Sequence, residues 1–189
     1  MAMIDDLVGL RRGAIALYRI TAANAANVRA RLQREPDADE TVAEFDRSYL
    51  PRADEQGRPT LIGFYATLDG ALAGLYLLGV SSWPDARGFT GSDTLPQMRG
   101  RGVAPGSKPL LFYLGFALLG LNRIETGCYI SNIASRRSIE KTPGFRYEGT
   151  LRGYGRNATG EFEDERRYAI LRRDWQALYD PDEITVLRG

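Results

Sequence analysis

The alternation of apolar and polar positions divides the chain into short strands and amphipathic helices. Residues 14–20 read as a strand with Ile15, Leu17 and Arg19 on one face. Residues 22–34 read as an Ala-rich helix with Val28 and Leu32 one turn apart, Thr21 as its N-cap and Glu35-Pro36-Asp37 as its stop. A second helix is predicted over 39–49 from the spacing of Val42, Phe45 and Tyr49. Residues 60–68 and 71–80 are two strands joined at Asp69-Gly70, a dipeptide that favours a tight hairpin. Residues 88–95 form a further strand, and 109–121 an apolar helix carrying Leu110, Leu111, Leu114, Leu118 and Leu121. Residues 122–130 alternate as a strand, with Ile124, Thr126, Cys128 and Ile130 on one face and Glu125, Gly127 and Tyr129 on the other. Asn132 caps a short helix over 133–141 that Pro143-Gly144 ends, and strands over 145–154 and 162–171 complete the pattern. Residues 1–13 read as a lead-in and 174–189 as a polar tail. The order β-α-α-β-β-β-α-β-α-β-β describes one α/β domain over 1–189, a mixed sheet of about seven strands with helices on both faces.

One stretch stands out between the strand at 88–95 and the apolar helix: Gln97-Met98-Arg99-Gly100-Arg101-Gly102-Val103-Ala104-Pro105. Paired glycines let successive backbone N–H groups turn toward one point, and a helix N-terminus behind them adds partial positive charge. Such a loop suits a phosphate or pyrophosphate.

Composition narrows the chemistry. The 25 basic and 24 acidic residues give a net charge of +1, which argues neither for nucleic acid nor for a membrane surface. The absence of histidine excludes histidine triads and histidine metal sites, and the single cysteine, Cys128, excludes an intrachain disulfide and a four-thiol zinc site. No metal is expected. Acid–base work falls to Asp, Glu, Tyr, Ser, Lys, water or the α-amino group. The N-terminal residues lack a signal-peptide pattern, so a cytoplasmic protein is expected.

The glycine stretch fits the acetyl-CoA signature Q/R-x-x-G-x-G/A of the GNAT N-acetyltransferases, and the element order resembles that superfamily over nearly the whole chain. Asn132-Ile133-Ala134-Ser135, Glu140-Lys141, Gly144-Phe145 and Glu148-Gly149 resemble the branch that acetylates alanine N-termini of ribosomal proteins. The resemblance implies a GNAT-like, mostly antiparallel sheet and acetyl transfer from acetyl-CoA directly to a primary amine. It implies that backbone N–H groups of Arg99, Gly100, Arg101, Gly102, Val103 and Ala104, behind Gln97, hold the pyrophosphate. It further implies that Thr94 and Leu95 pair with the pantetheine amides, and that Asn132 bonds the same arm. Ser135 is placed near the thioester sulfur or the pyrophosphate, and Glu125, on the strand beside the slot, is chosen as the base over Asp93 and Asp85. Arg99, Arg101, Lys108, Arg137 and Lys141 compete for the 3′-phosphate.

Three departures bear on these roles. Two residues, Thr142 and Pro143, stand where the branch has one, which is expected to shift Asn132 or Ser135. Pro105, Gly106 and Pro109 predict a helix that begins only near Lys108, with Ser107 as its cap. Ile139 stands where many GNAT enzymes carry a proton-donating tyrosine. Two readings remain: an N-acetyltransferase acting on a protein N-terminus, aminoglycoside, polyamine or amino acid, or a CoA-binding module without turnover. A homodimer is left open.

Overall fold

The computed structural model describes residues 4–32, 42–157 and 159–189. Its centre is a sheet of ten strands in the order β10-β1-β2-β4-β5-β6-β7-β9-β8, with β3 paired to β4. The strands are β1 (Leu7–Arg12), β2 (Ile15–Arg19), β3 (Arg52–Ala53), β4 (Pro59–Leu68), β5 (Ala71–Ser82), β6 (Arg87–Thr94), β7 (Arg123–Tyr129), β8 (Arg146–Arg156), β9 (Phe162–Leu171) and β10 (Thr185–Arg188). Every ladder is antiparallel except β6–β7. The helices are α1 (Ala25–Arg31), α2 (Val42–Tyr49), α3 (Val103–Tyr113), α4 (Ile133–Glu140) and α5 (Arg172–Leu178).

The strand count exceeds the seven expected, chiefly at the two chain ends. The lead-in contains β1, which turns at Gly13 (φ +56°) into β2. The tail contains α5 and β10, and β10 pairs with β1. The Asp69-Gly70 hairpin forms as expected, with both residues in the left-handed region (φ +50° and +81°). The start of the predicted second helix and the 35–37 stop lie outside the described residues. Within α2, Phe45 is buried and Tyr49 half-buried, whereas Val42 is exposed. Thr21 does not directly precede a regular helix. It exchanges hydrogen bonds with Asn24 (Thr21 N–H to Asn24 Oδ1 at 2.9 Å, Asn24 N–H to Thr21 Oγ1 at 3.3 Å), and α1 begins one residue later.

Two apolar cores flank the sheet. On one face α3 packs Val103, Leu110, Leu111 and Phe112 against Leu17, Phe64, Tyr76 and Leu78, with Trp175 of α5 alongside. On the other, α1 and α2 pack Val28 and Phe45 against Ile20, Leu75 and Leu95. A π-helical turn over Leu114–Leu118 follows α3, and Gly120 (φ +74°) ends it.

Candidate functional site

The parallel pair is short. β6 and β7 are in register only at Arg87↔Arg123, Gly88↔Ile124 and Phe89↔Glu125, after which they part. The gap opens a cleft of about 650 Å³ between β6, β7, α3 and α4. Its walls include Ser92 and Thr94 on β6, Thr126 and Gly127 on β7, the loop residues Arg99, Gly100 and Gly102, and Asn132 and Ser135.

The glycine loop meets α3 without a break. Gly100 and Gly102 have φ +77° and +78°, and a Cβ at either would meet open space, so backbone conformation and not crowding calls for glycine. Gly102 is itself the N-cap of α3, so the helix does not wait until Lys108, and Ser107 is buried within it and caps nothing. The physical reason is position. Pro105 stands in the first turn, where N–H groups have no partner inside the helix, so a residue lacking one costs little there. The first intrahelical bond runs from Gly106 N–H to Gly102 O at 2.9 Å. The N–H groups of Gly102, Val103 and Ala104 therefore stand at the head of the helix dipole and beside the cleft.

Backbone alternation on β6 corrects the expectation for Leu95. Leu95 N–H bonds Ala73 O at 3.0 Å, toward β5, and its side chain is buried beside α1 and α2. Alternate residues point their N–H and C=O to opposite sides, so Ser92 and Thr94 present theirs to the gap. Arg99 Nε already reaches Thr94 O at 3.3 Å. Gln97 is exposed in a 3₁₀ turn outside the cleft lining, and Arg101, also outside it, rests on Met98 Sδ at 3.7 Å.

On α4, Asn132 Oδ1 accepts Ser135 N–H at 3.0 Å and leaves the Asn132 amide N–H₂ toward solvent and cleft. The extra residue near Pro143 does not disturb this cap. It is taken up after the helix, where Thr142 Oγ1 bonds Ser138 O at 3.0 Å and Tyr179 Oη bonds Pro143 O at 2.7 Å. Cys128 is buried with Ile139 and Tyr168, and burial raises its thiol pKa while the Ser135 hydroxyl contacts the sulfur. Ile130, expected on the same strand face, falls beyond β7 and is exposed.

Glu125 sits at the last paired register, below the point where the strands part, and is not among the residues lining the cleft. Arg123 holds it at 2.8 Å and grips Glu148 as well, which pushes the Glu148 carboxyl below its usual range. Asp93 of β6 is a carboxylate of the lining, and Glu165, itself outside the lining, stands beside the lining residue Gly127. Glu165 of β9 projects across Gly127 on the α1–α2 face, close enough that a Cβ at Gly127 would collide with its carboxyl. Burial raises its pKa, and Arg167 Nε at 2.8 Å acts in the opposite direction.

Two buried groups mark the closed end of the cleft. Thr126 Oγ1 donates to Thr90 O at 3.2 Å, and Lys108 Nζ donates to Thr90 Oγ1 at 3.0 Å. Lys108 is only 2% exposed and cannot serve a surface phosphate, so Arg99, Arg137 and Lys141 remain in the lining as cations for that role. Sequence reading gave Thr90, Ser92 and Thr126 no part in the site, took Glu165 only as part of a charged hairpin face over 161–167, and misplaced Lys108. The signal for Lys108 was its spacing, since Leu111 and Phe112 lie on the same helix face.

Comparison with known proteins bears on the fold. No protein-family model matches the chain, and no curated protein matches it in sequence. Solved acetyltransferase structures match over most of its length. Spermidine N-acetyltransferase SpeG from Vibrio cholerae, in complex with CoA and spermine, superposes with a TM-score of 0.68 at 18% identity, over 86% of this chain and 98% of that one. Mycobacterium smegmatis RimJ, in complex with CoA-disulfide, gives 0.68 at 20% identity over 96% of each chain. A putative acetyltransferase gives 0.69 at 18% identity, over 93% of this chain and 91% of that one. The chain has the GNAT fold, an open mixed sheet of mostly antiparallel strands parted at the parallel β6–β7 pair.

Proposed function

We propose that the protein is an acetyl-CoA-dependent N-acetyltransferase that moves the acetyl group directly to a primary amine. The observation that carries the reading is the junction of the Gly100–Gly102 loop with α3, open to the gap between β6 and β7. Pyrophosphate sits on the N–H groups of Gly102, Val103 and Ala104. Pantetheine lies against the gap-facing backbone of Ser92 and Thr94 like a short added strand, with Asn132 alongside. Arg99, Arg137 and Lys141 offer charge to the 3′-phosphate. The amine enters from the α1–α2 face. Glu165 there takes up its proton, because an ammonium has no lone pair with which to attack.

The acceptor we favour is a protein N-terminus, which the Asn132–Ser135 and Glu140-Lys141 blocks suggest. SpeG, a spermidine N-acetyltransferase, supplies a polyamine as the acceptor class to compare. Intact α4 capping removes the main reason to read the chain as an inert CoA-binding module.

The test is cofactor binding followed by turnover. Acetyl-CoA at about 100 times its dissociation constant stabilises a protein by roughly 2.7 kcal/mol. Gly102→Glu, which forces a side chain and a negative charge into the cradle, is expected to abolish that thermal shift. Product is then sought with an alanine-starting peptide and with spermidine. A full shift in Gly102→Glu would move the cradle elsewhere, and binding without product from any amine would favour the inert module.

A further inference from the structure

Lysine is among the residues least often fully buried, yet Lys108 lies under the cleft floor with Thr90 Oγ1 as its hydrogen-bond partner. Its place relative to the loop is set by two element geometries. Along α3 it stands about 7.5 Å from Val103, at 1.5 Å per residue. Along β6, Thr90 stands about 13 Å from Thr94, at about 3.3 Å per residue. The two runs converge where Lys108 meets Thr90, at the closed end of the gap. An arm anchored by its pyrophosphate at Gly102 and laid along Thr94 and Ser92 ends at that point, and the end of the coenzyme's arm is its sulfur.

We propose that Lys108 is a catalytic residue whose ε-ammonium gives a proton to the coenzyme's departing sulfur. The assignment rests on the reading of the cleft as an acetyl-CoA site. The acceptor nitrogen, as free amine, forms its bond to the thioester carbonyl carbon. The C–S bond breaks with its electron pair on sulfur, and Lys108 Nζ–H protonates that sulfur. The nitrogen sheds its proton to the Glu165 carboxylate, and solvent carries that proton from Glu165 back to Lys108. The sum is amine and thioester to amide and thiol, with no net proton.

Its surroundings suit that cycle. Burial lowers the Lys108 pKa to about 7, and no carboxylate pairs with it among the described residues. The ionisable groups nearest it on the packed elements are the Tyr76 phenol on β5, Asp93 on the far face of β6, Cys128 on β7, Arg137 on α4 and Lys141 at its C-cap, while Glu140, also on α4, is held by Arg136, Arg166 and Tyr168. An amine near neutrality loses and regains its proton readily, whereas one at the ordinary lysine value holds it too tightly for an efficient acid.

The experiment measures kcat against pH, at saturating acetyl-CoA and amine, in wild type and in Lys108→Met. An apolar side chain of similar length suits the buried position, and a retained CoA-dependent thermal shift verifies folding and binding. The wild-type kcat is expected to fall as pH rises and Lys108 loses its proton. In Lys108→Met kcat falls about 100-fold or more with acetyl-CoA affinity kept, and that alkaline limb disappears. A variant that binds CoA and keeps the wild-type kcat, or keeps the same alkaline limb, would overturn the role of Lys108 and leave the cofactor site standing. A wild type that shows no CoA-dependent shift would overturn the reading of the cleft itself.

Discussion

Glu165 and Glu125 are both carboxylates on the α1–α2 face, and their neighbours separate them. Glu125 is held by Arg123 where β6 and β7 still pair, while Glu165 leans across the backbone of Gly127, beside the gap. A base must be ionised, so a carboxyl whose pKa is raised by burial loses its function at a higher pH than an ordinary one. The kcat/KM of the wild type is therefore expected to fall on the acid side, through a value above the usual carboxylate range. Glu165→Gln removes that limb and lowers kcat/KM by roughly 10²-fold or more, within the range for a lost general base. Glu125→Gln leaves both within threefold. The pH–rate profiles of the two variants decide it, and equal losses would return the role to neither residue. The signal in the sequence was the alternation Glu163, Glu165, Arg167, which reads equally well as a solvated hairpin face. Only the pairing of β7 with β9 (Gly127↔Arg167, Tyr129↔Glu165) brings that face to the cleft.

At the scale of elements, local signals were legible where turn chemistry and periodicity agree. Asp69-Gly70 placed its hairpin, Asn132 placed its cap, and the strand over 162–171 matches β9. The start of α3 was misread because Pro105 was judged by type, whereas it stands in the first turn, and Pro109 lies inside the helix without stopping it. β1 and β10 were missed for another reason. Each is short, and each gains its stability from the other through pairing across nearly the whole chain, which no local pattern records. Deleting residues 185–189 tests that dependence. It removes the β1–β10 ladder, the Arg188–Asp6 ion pair and the half-buried Val186 and Leu187, and it leaves β1 as a bare edge. Partial burial of two aliphatic side chains corresponds to about 2 kcal/mol, and hence to a melting temperature lower by roughly 4–8 °C for a domain of this size. The CoA-dependent increment is expected to survive, because β10 and the cleft lie on opposite sides of the strand order. An unchanged melting temperature would mean that β10 adds nothing to the fold.

At the scale of the molecule, the split sheet has a kinetic consequence. The glycine loop and the buried lysine lie with α3, while Glu165 lies on the opposite face, so under the proposed function coenzyme and amine approach the gap from different sides and occupy it together. The alternative is a covalent relay through a nucleophile, and Cys128 is the single thiol in the chain. A relay needs an exposed thiolate in an electropositive setting. Cys128 is 6% exposed among Ile139 and Tyr168. Burial is the first cause of its raised pKa, Glu165 acts in the same direction, and the Ser135 hydroxyl and Arg166 oppose them. The thiol therefore stays protonated at neutral pH, and the chain has no histidine to activate it. Initial rates with acetyl-CoA and the amine varied together are expected to give the intersecting lines of a ternary complex. Cys128→Ala is expected to retain most of kcat and to lose about 1 kcal/mol of stability from the small void it leaves. Intact mass after mixing with acetyl-CoA alone should show no acetyl adduct on Cys128. Parallel lines, together with a 1:1 adduct on Cys128 that passes to added amine, would replace direct transfer with a covalent route.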